Sequence, residues 1–430
     1  MRPLAALPPP KPKDPREASP LPHSLSSIQV DERVSLPRLG PPDTCLFTLG
    51  ITDLTTSDFF KISRLQLDDD STYPSRTEYN CTELDHLQKV YYVEVTSSSF
   101  KMVETSAQLT ADEEKLYDRQ IRLWGIESQK RLRSARLLLI GLGGLGAEVT
   151  KNIVLSGIKS VTLLDDKLST KDLAFSQFLI PPEKIGENRA EASVERAQNL
   201  NPHVEVTSET FPLADLNQEY FSNSRWDVVV ATGLDQDQLE RLDGFCRKGG
   251  LKFFAGEVFG MFGYFFSDLN THSFTKTVKT IPKKGVVKEE SVKETSKFPT
   301  FSSAINQVFE KNSSQLRLLD PSYFVIKILL KFRAEKKRNP TDSDEDWDQL
   351  ILLRDQELDK HHHPREKVPD EFLQAVVGAE VGPVCAIVGA VLSQEVIKAV
   401  SHKDEPHNNM FFFNPLNNKG TVQKLGKLES

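Results

Sequence analysis

A chain of 430 residues is long enough for two or three ordinary domains, or for one large α/β domain with extensions. Its formal charge is -7, from 54 Lys and Arg against 61 Asp and Glu, so no global basic field argues for nucleic acid. The sequence shows no uninterrupted apolar run of the ~18 residues needed to span a membrane, and the opening MRPLAALPPPKPKDP lacks the apolar core of a secretory signal. Neither nucleic acid nor a membrane is therefore expected as a partner. The four cysteines, Cys45, Cys81, Cys246 and Cys385, form no CxxC pair, which suits a reducing compartment.

Residues 1–101 open on clustered prolines (Pro8, Pro9, Pro10, Pro12, Pro15) and sustain neither a strand nor a helix period. Such a stretch buries too little apolar surface to offset its ordering entropy, so a disordered N-terminal leader is expected, with LFTLGI (46–51) and VYYVEV (90–95) as transient strands. The folded domain is expected from Met102 to the end, 102–430. Thr110 and Glu113 form a capping-box pattern, and one helix should follow through EEKLYDRQIRLWG to a stop at Gly125. ARLLLI (135–140) is an unbroken apolar run of strand length, as in a parallel sheet buried on both faces. A glycine-rich turn leads into a helix to about Ser156. Further strands are expected at SVTLLDD (160–166), VEVTSE (204–209), WDVVVAT (226–232) and LKFFAGE (251–257), with helices at 188–202 and 236–250. Strands and helices alternating in this way give a doubly wound, Rossmann-like α/β fold.

FGYFFSDL (262–269) reads as an antiparallel strand, and the lysine-rich stretch 275–300 as a mobile surface insertion. Helices resume at about 320–334, 345–360 and 369–377. PVCAIVGAVLSQEVIKAV (383–400) is a buried helix opened by Pro383, and NMFFFN and TVQKL are terminal strands.

Gly141-Leu142-Gly143-Gly144-Leu145-Gly146 follows a strand and opens a helix. A phosphate approaching the amides at a helix start needs backbone without Cβ atoms, and a third glycine lets helix and strand pack closely. Asp165, at the end of the next strand, stands where a carboxylate meets ribose hydroxyls. Two readings stay open for Gly141, Gly143, Gly144, Gly146 and Asp165: a nucleotide site, or a Rossmann-like turn that holds nothing. An NAD-dependent oxidoreductase fits the loop, but no hydride-site constellation of histidine or tyrosine follows it.

YDRQIRLWG (117–125) ahead of RLLLIGLGGLG (136–146) resembles the adenylation fold of ubiquitin-like activating enzymes, of ThiF/MoeB type. QFLI (177–180), IGENRAEASVERAQNLNP (185–202), GEVFGMFGYFF (256–266), ILLKFR (328–333), 382–400 and HNNMFFF (407–413) extend the match. The combination is more similar to the smaller halves of heterodimeric SUMO-activating enzymes than to the ubiquitin or NEDD8 counterparts. The resemblance implies ATP-dependent adenylation of the SUMO C-terminus, followed by thioester formation on a cysteine of a larger catalytic subunit. It implies SUMO, that subunit and, indirectly, a SUMO-conjugating enzyme as partners, and nuclear residence. Departures from the family pattern matter as much. Active halves carry a phosphate-gripping arginine where LAFSQF (173–178) has Ser176, and a magnesium-binding aspartate where ATGLDQ (231–236) has Leu234, with Asp235 one place late. Magnesium requires charged oxygen ligands, which leucine does not supply. ATP and Mg2+ are therefore expected to be held mainly by the partner, with no metal ligand in this chain. Cys246 and Cys385 read as core residues rather than catalytic thiols. The first arginine of the family motif, here Arg119, crosses the dimer interface to the partner's nucleotide. The resemblance thus makes Arg119 the one catalytic residue of this chain; the alternatives are a surface arginine paired with Asp118 or Glu114, or a subunit that is purely a scaffold.

Overall fold

The computed structural model describes residues 109–428, apart from 172, 174, 175, 223, 281–287 and 418, together with short strands between 45 and 104. The chain divides into two compact units, Met1–Thr105 and Ser106–Ser430. In the first, β1 (Cys45–Leu49), β4 (Tyr91–Thr96) and β5 (Ser99–Glu104) form an antiparallel sheet in the order β1-β4-β5. The short strands β2 (Lys61–Ile62) and β3 (Tyr79–Asn80) pair with each other. β1 and β4 fall on the two apolar patches singled out in the sequence; the rest of the expected leader lies outside the described residues. Met102, where the folded domain is expected to begin, pairs with Val93 inside this sheet.

The second unit opens on α1 (Ala111–Leu116), α2 (Asp118–Trp124) and α3 (Ile126–Ser134). The capping box at Thr110 and Glu113 is present, with both reciprocal hydrogen bonds made. The single helix expected to run to Gly125 is instead broken at Tyr117. That side chain turns inward to 1% exposure, and its hydroxyl accepts a 2.8 Å hydrogen bond from Asn201 Nδ2.

Next come β6 (Arg136–Ile140), α4 (Gly144–Leu155), β7 (Ser160–Leu164), α5 (Arg189–Gln198), β8 (Glu205–Glu209), α6 (Gln218–Ser222), β9 (Val228–Thr232), α7 (Gln236–Gly249), β10 (Lys252–Phe259) and β11 (Phe262–Asp268). A hairpin of β12 (Thr271–Thr280) and β13 (Lys288–Lys297) follows. Then come α8 (Phe301–Ile305), α9 (Ser314–Leu318), α10 (Ser322–Lys336), α11 (Asp344–Lys360), α12 (Asp370–Gln374), α13 (Gly382–Ser401), β14 (Met410–Asn414) and β15 (Lys419–Gln423).

One sheet of eight strands, β15-β14-β11-β10-β9-β6-β7-β8, organises the unit. β6 to β10 run parallel, while β11, β14 and β15 are antiparallel, as FGYFFSDL suggested. The chain winds outward from β6 through β7 to β8, then returns to lay β9 on the other side of β6. The C-terminal ends of β6 and β9 thus flank the topological switch point, where open α/β sheets form their crevice. Alternation along the strands feeds two cores. Leu138, Ile140, Val229, Ala231, Phe253 and Ala255 pack with α7, α8 and α10 to α12. Leu137, Leu139, Val228, Val230 and Phe254 face α4, α5 and α13. Every inner strand is therefore apolar on both faces, as parallel sheets covered by helices require.

Residues expected as a mobile insertion at 275–300 form, where described, an antiparallel ladder pairing Thr271 with Lys297 through Thr280 with Lys288. Its base is tied down by Thr275, whose amide donates to the His402 carbonyl at 2.9 Å. Helix α13 is long and apolar enough on composition to cross a membrane, but Val384, Val388, Leu392, Val396 and Ala399 are buried in the protein core, as the sequence reading of 383–400 expected.

Candidate functional site

At the switch point lies a cavity of about 330 Å³ lined by the Gly141–Gly143 turn, Asp165, Ser176, Arg189, Leu234, Glu257, Arg333, Lys337, Arg338 and Glu380. The turn is held by its neighbours. Gly141 has φ +91°, and a Cβ there would stand 2.0 Å from the Thr232 carbonyl oxygen, so β6 and β9 approach too closely for any other residue. Thr232 Oγ1 donates to the Gly141 carbonyl at 2.7 Å, and Gln177 Nε2 to the Leu142 carbonyl at 3.0 Å. A Cβ on Gly146 would meet the Gly141 carbonyl oxygen at 2.1 Å, so this glycine serves close packing of α4. The strand-turn-helix geometry expected for Gly141, Gly143, Gly144 and Gly146 is therefore in place.

Asp165 is committed inward. It is 2% exposed; its Oδ2 accepts from the Leu142 amide at 2.7 Å and its Oδ1 from the Lys167 amide at 2.9 Å. Its carboxylate braces the glycine turn from the cavity wall.

The helix start itself is filled from within. α4 has no side-chain cap of its own, and the Gly144 amide donates to Oε2 of Glu380, from the segment between α12 and α13. Sequence reasoning missed Glu380, which stands 236 positions from Gly144. Burial, followed by the nearby Glu257, pushes the Glu380 carboxyl up to about 7, against opposing pulls from the Gly144 amide, Arg189 and Arg333. The Ser176 hydroxyl lies 3.5 Å from the same carboxyl oxygen.

Where active halves carry a metal-binding aspartate, Leu234 is 3% exposed, and its carbonyl accepts from Arg333 Nη1 at 3.0 Å. The same guanidinium pairs with Glu257 at 2.9 Å and reaches Asn339 Oδ1 at 2.6 Å. Asp235 is occupied as the N-cap of α7, accepting from the Gln238 amide at 2.9 Å. Among the described residues no group of three or more His, Cys, Asp or Glu could hold a metal ion. These residues do not suit a magnesium nucleotide: a carboxyl group sits on the Gly144 amide at the head of α4, the buried Leu234 side chain offers no metal ligand, and Arg333 and Arg338 are already paired with Glu257 and Asp346.

A second feature lies on α2. Tyr117 and Trp124 anchor the motif: Trp124 Nε1 donates to Gln129 Oε1 at 3.1 Å, and Gln129 Nε2 to the Ser156 carbonyl at 2.8 Å. Arg122 takes Asp118 as its partner at 3.1 Å. Arg119 is exposed and, among the described residues, makes no ion pair or side-chain hydrogen bond. It is surrounded in sequence by exposed apolar side chains, Leu116 at 56%, Leu123 at 76% and Ile126 at 40%, a concentration typical of protein interfaces.

The expected core cysteines are core cysteines. Cys246 and Cys385 are each fully buried, and burial pushes both thiols up. Neither should be alkylated by iodoacetamide in the native protein at neutral pH. Peptide mapping should find both modified only after unfolding; labelling of either one in the folded chain would show an accessible thiolate.

The model of the ThiF family matches residues 117–429. The chain belongs to the ThiF family. It is similar to proteins named SUMO-activating enzyme subunit 1: 40% identical over 348 residues to that of Xenopus tropicalis, covering 76% of this chain and 99% of the relative. The human protein is 38% identical over 342 residues (75% and 98%), and that of Danio rerio 40% over 334 (73% and 95%). A solved structure of E. coli MccB with MccA-N7isoASN has a TM-score of 0.47 at 13% identity, covering 76% of this chain and 75% of that one. The smaller-subunit branch expected from YDRQIRLWG and the later motifs, and the doubly wound adenylation-type fold, are thus both correct.

Proposed function

We propose that the chain is the smaller, non-catalytic subunit of a heterodimeric SUMO-activating enzyme. It supports ATP-dependent adenylation of the SUMO C-terminus, with the larger partner holding ATP, Mg2+ and the thiol that accepts SUMO as a thioester. One contrast carries this reading. Glu380 occupies the amide at the head of the chain's own glycine loop and Leu234 is buried beside it, while Arg119 stands exposed on a helix with an apolar surround and, among the described residues, makes no ion pair. A guanidinium so placed is available to the polyphosphate of a neighbouring subunit, where planar, bidentate pairing neutralises developing charge. Residence in the nucleus belongs to the same reading and rests on family membership.

The test is SUMO-dependent ATP–pyrophosphate exchange with this chain alone, with the partner alone and with both. The isolated chain should show no exchange, and the pair should show full activity. Exchange by the isolated chain would overturn the assignment of ATP and Mg2+ to the partner.

A further inference from the structure

The residues around the glycine turn fail to suit a magnesium nucleotide in a specific way. A helix start preceded by glycines presents unpaired amides and the positive end of a dipole, and it attracts an anion. Here that demand is met inside the chain. Glu380 Oε2 accepts from the Gly144 amide and lies 3.5 Å from the Ser176 hydroxyl. The carboxyl also fills the space that the missing side chains leave: a Cβ on Gly143 would come 2.9 Å from Glu380 Oε1, and one on Gly144 would come 2.7 Å from Oε2. The surrounding cavity is rich in cations, with Arg189, Arg333, Lys337 and Arg338 in its wall. Two of these are already neutralised, Arg333 by Glu257 and Arg338 by Asp346 at 2.6 Å. A phosphate-sized pocket is therefore present in outline, with a carboxyl group of the protein at its head.

We propose that Glu380 is a built-in plug, whose carboxyl group takes the position at the start of α4 that this fold otherwise offers to a phosphate. The chain's own glycine loop is thereby closed to phosphate-bearing ligands, and removing the side chain opens it. Three parts of the molecule cooperate in the closure. The glycines leave the space, the short Ser176 side chain stands against the carboxyl, and Pro383 in the first turn of α13 follows Glu380 by three residues. The proposal is independent of the partner, since it concerns a site wholly within this chain.

The experiment compares the full wild-type chain with Glu380→Ala and Glu380→Ser by thermal unfolding. Titrations use inorganic phosphate, with chloride at matched ionic strength as the reference. The wild type should respond equally to the two salts. Each variant should unfold several degrees lower in chloride and recover most of that loss in millimolar phosphate, because the free anion restores the partner of the Gly144 amide. If a variant folds only in phosphate, that also supports the plug. A wild type that gains as much from phosphate as the variants do would mean that Glu380 does not occupy the anion position. Variants that gain nothing from phosphate, or stay unfolded in both salts, would mean that the loop is not an anion site at all.

Discussion

Replacing Arg119 by Ala is expected to slow SUMO adenylation by the reconstituted heterodimer about thirty- to a thousandfold, with the heterodimer still formed. If Arg119 acts as proposed, its loss removes one preorganised charge from a shielded phosphate site, roughly 2–4 kcal/mol of transition-state stabilisation by analogy with a lost oxyanion-hole donor. The helix beneath the side chain is firmly placed. Thr110 and Glu113 cap α1, Glu113 pairs with Arg133 at 2.6 Å, and Tyr117 is buried at the junction with α2. Among the described residues Arg119 makes no ion pair, and its neighbour Asp118 is taken by Arg122. Assembly should survive, since a stable interface buries on the order of 1,600 Å² and one arginine is a small share of that. Arg119→Lys should recover only part of the rate, because an ammonium cannot reproduce the planar fork. Adenylation rates measured alongside size-exclusion chromatography separate the outcomes. A near-normal rate for Arg119→Ala would favour a subunit that is purely a scaffold, and loss of the complex would make Arg119 structural.

What the sequence disclosed and what it concealed divide along a physical line. Signals confined to one element were legible. The apolar run of β6, the glycines of the turn, the box at Thr110 and the Pro383 start of α13 each depend on neighbours a few residues away. The β12–β13 hairpin escaped because its strands are made of Thr, Lys, Glu and Ser, with few apolar residues to mark alternation. Its stability is cross-strand, as in the Lys276–Glu294 ion pair at 2.7 Å, and such pairs become visible only once the register is known. The break at Tyr117 was hidden for a similar reason. Helical spacing continues through it, and only the tertiary bond to Asn201 shows why the side chain leaves the helix path.

Glu380 is the most consequential omission. Its one local clue is a lone acid in the otherwise apolar and glycine-containing VVGAEVGPVCAIV (376–388). Nothing nearby in sequence says that the folded chain brings this acid to the amide of Gly144. Asp165 shows the same limit. Its position after β7 was read correctly, but its carboxylate turned out to be engaged by the amides of Leu142 and Lys167. Both cases concern the final partner of a polar group, and that is settled by packing across the switch point.

The raised Glu380 carboxyl has a direct thermodynamic consequence, and Glu380→Gln isolates it. In the unfolded chain a glutamate releases its proton near its ordinary value of about 4.3, whereas in the folded chain it does so at about 7. Between those values the native state holds more protons than the unfolded state, so stability falls as pH rises through this window and levels off above it. The window is set by burial and by Glu257 from β10, which outweigh the Gly144 amide, Arg189 from α5 and Arg333 from α10. A displacement of this size corresponds to about 3 kcal/mol between the ends of the window. Glutamine keeps the shape and an acceptor for the Gly144 amide but cannot ionise. The variant and the wild type should therefore be nearly equal in stability near pH 4.5, and the variant should be the more stable by up to about 3 kcal/mol near pH 8. Carboxylates held low by their partners, such as Glu357 between Lys327, Lys331 and His361, act in the opposite sense, losing their contribution only at more acidic pH. They contribute equally to both proteins and cancel in the comparison. Denaturant unfolding at a series of pH values measures the difference. Parallel stability curves for the two proteins between pH 4.5 and 8 would show that Glu380 ionises normally and is not enclosed at the head of α4.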